Sequence, residues 1–200
     1  MRKRQLVFVI IGLLLILSAC SDPYKEIEPN MDEKVADFNF TTQDNEHFSL
    51  DDLNETWWIA DFIFTNCTSV CLPMSTNMSA LQDELKEKNI DIQLISFSVD
   101  PDYDQPEVLS DYAAEYDADL SNWTFLTGYD FQTIRELSIK SFRSPLPVPE
   151  GNTDQVMHGT SFYLVTPEGK IIKSYDGVSP SEIDNIIDDL ETIEQLNAGG

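Results

Sequence analysis

Cys67 and Cys71 stand four residues apart in the string Phe-Ile-Phe-Thr-Asn-Cys-Thr-Ser-Val-Cys-Leu-Pro-Met, at the end of an apolar strand pattern and the start of a helical one. On a helix that spacing puts both thiols on one face, where they can close a disulfide or grip one soft metal ion. The amide dipoles of the helix N-terminus favour the thiolate of Cys67, which is both a nucleophile and a soft ligand. The spacing by itself leaves these two roles open. His158 is a third residue whose chemistry bears on the choice. Peroxide reduction is disfavoured. Peroxide-reducing relatives carry a threonine three residues before the nucleophile and a proline four before that, where this chain has Phe64 and Ala60.

The remaining cysteine belongs to a targeting signal. Arg2, Lys3 and Arg4 precede an apolar run from Leu6 to Leu17, and Leu17-Ser18-Ala19-Cys20 closes it with small residues. A bilayer-spanning helix needs about 20 residues, so this shorter run reads as a signal-peptide core. Cysteine directly after small residues is the pattern of a bacterial lipoprotein signal, cut before Cys20 and lipidated on its thiol. The expected organisation is a signal over residues 1–19, a lipidated tether over 20–34 and one domain over 35–197. That places the protein on the cell membrane, lipid-anchored, at its extracytoplasmic face.

The signal takes three of the 12 basic residues and none of the 36 acidic ones. The nine left give the mature chain a formal charge of −27. Such a charge argues against nucleic acid and against lying flat on anionic lipid. Two cysteines closing a very short loop are a poor structural staple, so in an oxidising compartment they point to redox or metal work.

The pattern of elements supplies a frame to hold them. Phe38-Asn39-Phe40 and His47-Phe48-Ser49-Leu50 flank a polar turn and predict a hairpin. Trp57 to Phe64 is a buried-strand run broken only by Asp61, and Met74, Met78, Leu81 and Leu85 form the stripe of the next helix. A strand from Ile90 to Val99, a helix opened by Pro106, a strand from Trp123 to Leu126 and a helix from Phe131 to Ile139 follow. After a proline-rich loop over 141–157 come a hairpin around Pro167-Glu168-Gly169 and a last helix begun by Ser179-Pro180-Ser181-Glu182, read as a capping box. This order is α/β: a thioredoxin-like central mixed sheet flanked by helices, with an added N-terminal β-hairpin. Met74 and Met78 fall on the apolar stripe and read as core, His47 as a solvated turn residue, and Asp100 as a turn residue near the site.

Three motifs in order carry a resemblance: Phe-Thr-Asn-Cys-Thr-Ser-Val-Cys-Leu-Pro-Met; Ser96-Phe97-Ser98-Val99-Asp100-Pro101 with Asp104 and Pro106; and His158-Gly159-Thr160-Ser161-Phe162-Tyr163-Leu164-Val165 with Pro167 and Gly169. Over roughly Val35 to Leu190 the chain resembles the SCO/SenC family, membrane-tethered copper proteins of thioredoxin fold that help assemble the binuclear copper site of cytochrome c oxidase. The resemblance implies Cys67 and Cys71 as copper thiolates, His158 as the nitrogen ligand, and the oxidase's copper-bearing subunit as partner. This chain departs from the family pattern at Leu72, which separates Cys71 from Pro73, and at Met157, where many members carry aspartate.

Two soft thiolates suit Cu(I), and an added imidazole lets the site hold Cu(II) as well. Zinc prefers four ligands, and three are evident. The loop before His158 is expected to let the imidazole approach and leave the sulfurs. Two other functions use the same residues: a thiol-disulfide oxidoreductase that keeps the oxidase's cysteines reduced, and a lipid-tethered copper or redox sensor.

Overall fold

Alternation along one strand sets the layers of the molecule. In a computed structural model describing residues 24–66, 71–149 and 156–198, strand β4 (Trp58–Ile63) is buried on both faces. Ile59 and Ile63 point into one core with Met74, Met78 and Leu81, while Trp58, Ala60 and Phe62 point into the other with Phe97 and Phe142. A strand covered on both sides needs helices on both sides.

In chain order the remaining elements are β1 (Glu33–Lys34), β2 (Asn39–Thr42), β3 (His47–Ser49), α1 (Cys71–Lys88), β5 (Gln93–Ser98), α2 (Pro106–Glu115), β6 (Trp123–Thr127), α3 (Phe131–Lys140), β7 (Ser161–Val165), β8 (Lys170–Asp176) and α4 (Glu182–Ala198). The sheet order is β1-β8-β7-β4-β5-β6-β2-β3. Strands β4, β5 and β6 run parallel, with Asp61 beside Ser96 and Ile63 beside Ser98, and the other pairs are antiparallel. This is the expected thioredoxin-like mixed sheet, and the N-terminal hairpin β2–β3 extends one edge by pairing with β6.

Helices α1, α2 and α4 cover one face. Helix α3 and the loop containing Phe142 and Leu146 cover the other. The expected stripe of α1 is buried throughout, so Met74 and Met78 are core residues. Trp58, Phe62, Phe97 and Phe142 pack ring against ring. Each buried aromatic of this kind contributes about 1.5–3 kcal/mol of transfer free energy.

Three local expectations change. His47 is exposed as expected but lies in β3 opposite Thr41, because the turn closes earlier, at residues 43–45. The last helix begins at Glu182: the Glu182 and Ile183 amides donate to the Ser179 and Pro180 carbonyls, and the Ser179 hydroxyl meets that of Ser181. Residues 179–181 therefore make the entry turn instead of the first helical turn. The described part of the expected tether is docked onto the domain: Ile27 is buried, β1 pairs with β8, and Lys173 reaches both the Ile27 carbonyl and Asp189.

No described helix is long and apolar enough to cross a membrane. The expected signal and Cys20 lie outside the described residues.

Candidate metal centre

The route to the centre begins where β4 ends. Phe64 is buried, and Thr65 and Asn66 turn the chain toward Cys67. Thr65 is held by a carboxylate: its amide lies 3.3 Å from both oxygens of Asp104, and its hydroxyl donates to Asp104 Oδ1 at 2.6 Å. Asp104 has no solvent exposure and also accepts from the Ser98 hydroxyl at 2.6 Å. Burial pushes its carboxyl above the ordinary value, and the bonds from Ser98 and Thr65 oppose that. Asp100 forms the expected turn, its carbonyl accepting the Tyr103 and Asp104 amides.

Cys71 is the first residue of α1. That helix is lashed down along its length. Ser75 meets the Tyr112 hydroxyl at 2.6 Å, Asn77 donates to the Gly177 carbonyl, Ser79 to the Tyr116 carbonyl, and Gln82 to Asp119 and Asn122. The helix start is thereby fixed at the end of the sheet where β4 finishes. Cys67 lies outside the described residues.

His158 is half-buried, with its ring edge-on to Phe64 at 5.8 Å between centroids. Its Nδ1 lies 2.8 Å from the Gly159 carbonyl. A carbonyl can only accept, so Nδ1 carries the proton of this bond and Nε2 is the ring's other, basic nitrogen. A backbone carbonyl taking the second ring proton is the usual arrangement around a metal-binding histidine. This answers what orients the imidazole in a chain with Met157 in place of aspartate. Gly159 approaches the proline-rich loop closely: a Cβ would stand 2.3 Å from the Ser144 hydroxyl, which would have to turn aside. Phe142, Ser144 and Leu146 are buried. Ser144 and Pro145 of the proline-rich loop lie against Gly159. Leu72 and Met157 are 57% and 73% exposed, so neither departure alters the core.

A second acid lies beneath this end of the sheet. Asp61 is wholly buried, accepts from the Ser96 hydroxyl at 2.6 Å, and Ser96 accepts from the Trp123 indole at 2.9 Å. Its Oδ2 has no hydrogen-bond partner among the described residues. Burial pushes the carboxyl up to about 7, while the Ser96 bond and the charge of His158 pull it down.

Among the described residues no three His, Cys, Asp or Glu side chains gather to hold a metal. Of the expected ligands the structure therefore describes the His158 side chain and the backbone of Cys71. The donor types fit copper, with two sulfurs and an imidazole whose tautomer is set.

The SCO1/SenC family model matches residues 27–195, nearly the whole of the described chain. The chain belongs to the SCO1/SenC family. A SCO1 protein homolog of Bacillus subtilis is 44% identical over 191 residues, covering 94% of this chain and 98% of that protein. A SCO1/SenC family lipoprotein from Bacillus anthracis superposes with a TM-score of 0.78 at 44% identity, over 82% of this chain and 96% of that one. BsSco, described with a disulfide switch and as a member of a family of cytochrome c oxidase assembly proteins, has a TM-score of 0.75 and 47% identity, over 82% and 95%. The copper-bound structure of Arabidopsis thaliana ScoI has a TM-score of 0.67 and 25% identity, over 78% and 98%.

Within this SCO1/SenC chain, sequence reasoning gave Asp61 and Asp104 no role. Asp61 was marked as the sole break in an apolar run, which is the mark of a charge carried into a core. Asp104 stood inside a quoted motif, but its reach across 39 residues to Thr65 is visible only in three dimensions.

Proposed function

We propose that this SCO1/SenC protein is a membrane-anchored, copper-binding assembly factor that delivers or prepares copper for the binuclear copper site of cytochrome c oxidase. Cys67 and Cys71 supply thiolates, His158 supplies Nε2, and copper is the cargo. The observation that carries this reading is the Nδ1 bond of His158 to its neighbour's carbonyl, made beside the strand that runs into Cys67. It leaves Nε2 as the basic nitrogen, and the two cysteines that follow β4 in the chain are soft donors that would favour copper over harder ions. The copper-bound Arabidopsis structure and the assembly role stated for BsSco support the same reading. The purified protein is expected to bind one copper per chain only when both thiols are reduced, because oxidised sulfurs offer no thiolate. Titration with copper before and after reduction checks this. Equal binding by the oxidised form would reject the thiolate ligands.

A second reading is favoured by the disulfide switch described for BsSco. In it the reduced pair passes two electrons and two protons to a disulfide on the oxidase subunit. Cys67 and Cys71 are left bonded to each other, and the subunit's cysteines become thiols.

The anchor is a lipid on Cys20, supported by the small residues before that cysteine and by the lipoprotein description of the Bacillus anthracis structure. The mature N-terminus is expected at Cys20, carrying acyl mass, in mass spectra of the membrane fraction. An intact Met1 would exclude it.

A further inference from the structure

We propose that Asp104 is a positioning residue for Cys67: by binding Thr65 and Ser98 together it fixes the direction in which the chain leaves β4 and so where the first thiol stands. The inference rests on the reading of Cys67 and Cys71 as a working pair.

Its basis is geometric. Asp104 belongs to the loop between β5 and α2, yet three of its hydrogen bonds go to Thr65, two residues before Cys67. The fourth goes to the last residue of β5, Ser98. Ser98 is itself held in register: its hydroxyl accepts the Asp100 amide at 3.1 Å, and its carbonyl lies 2.8 Å from the Tyr129 hydroxyl. One carboxylate thus ties together the ends of two parallel strands and the loop that follows the second.

A buried carboxylate is a costly way to close a turn, since removing a charge from water costs several kcal/mol unless good donors surround it. A neutral acceptor would serve a turn equally well. What the carboxylate adds is two oxygens that can take an amide and two hydroxyls at once, which leaves Thr65 little freedom to rotate. Thiol-disulfide equilibria depend on how closely two sulfurs are held, because a strained or loosened pair is easier to reduce. A loosened Thr65 turn should therefore appear in the redox equilibrium of the pair.

The test uses the full-length protein in detergent, equilibrated with mixtures of reduced and oxidised dithiothreitol, with the disulfide counted by alkylation. Thr65→Val removes the hydroxyl donor, Thr65→Ser keeps it, and Asp104→Asn removes one acceptor. Ser96→Ala is the control: it breaks a buried hydrogen bond on the same sheet face, to Asp61. We expect Thr65→Val and Asp104→Asn each to make the Cys67–Cys71 disulfide about tenfold easier to reduce. The double variant should shift it no further than the larger single change, since both act through one contact. Thr65→Ser should match the parent, and Ser96→Ala should stay within about twofold of it despite a comparable loss of stability. If Thr65→Val leaves the equilibrium at the level of Ser96→Ala, or the two changes add, the positioning role is wrong even though the pair is redox-active. If the parent forms no Cys67–Cys71 disulfide at all, the pair reading falls and this inference with it. Thr65 is only half-buried, so its variants decide the matter even where Asp104→Asn does not fold.

Discussion

His158→Ala is expected to lose at least about 100-fold in Cu(II) affinity, together with its thiolate-to-copper absorption, while it keeps measurable Cu(I) affinity through two sulfurs. Cys67→Ser and Cys71→Ser are expected to lose tight binding of both ions, since a hydroxyl is a poor ligand for soft copper. The disulfide between Cys67 and Cys71 should form almost normally in His158→Ala. That contrast separates metal work from thiol exchange. In cells, the copper reading expects His158→Ala to lower cytochrome c oxidase activity and added copper to restore part of it. The reductase reading expects almost no effect from His158→Ala, and rescue of the cysteine variants by an added thiol. Copper titrations followed by absorption and oxidase assays on membranes check both arms. A His158→Ala protein that binds Cu(II) like its parent and supports a normal oxidase would overturn the metal centre and leave the reductase standing.

The other large effect lies at Asp61. Its carboxyl has an ordinary value of 3.8 and is pushed up to about 7 in the folded chain, chiefly by burial. Between those values the native state holds a proton that the unfolded state has released. Stability from this group is therefore complete below about pH 4 and is lost as pH rises through about 7. The full difference is on the order of 4 kcal/mol, taken as an upper bound. Asp61→Asn keeps an acceptor for the Ser96 hydroxyl and cannot ionise. We expect it to be more stable than the parent at pH 8, by a large part of that amount, and close to the parent only near pH 4, where the unfolded carboxyl also holds its proton. Urea unfolding at the two pH values measures the difference directly. The comparison with the parent cancels the general repulsion of a strongly acidic chain. Parallel pH profiles for the two proteins would show that Asp61 is not the titrating group.

Much of this was legible before any coordinates. Periodicity alone places the stripe of Met74, Met78, Leu81 and Leu85 in the core, because a helix that must cover a sheet repeats its apolar residues every three or four positions. The succession of elements was readable as α/β because alternating strand and helix patterns leave few ways to build a sheet. A candidate donor set could be named too, since thiols and an imidazole declare their chemistry by type, and three ordered motifs pointed to one family. Local stretches were less well placed. The start of the last helix and the docking of Ile27 depend on which backbone groups and side chains find partners elsewhere in the fold. Only the tertiary structure set Asp104 against Thr65, Asp61 against Ser96, and the His158 ring against Phe64. Sequence patterns report which face of an element is apolar, whereas a buried polar contact depends on how far apart two strands and a loop finally sit. That distance is decided by packing across the whole sheet.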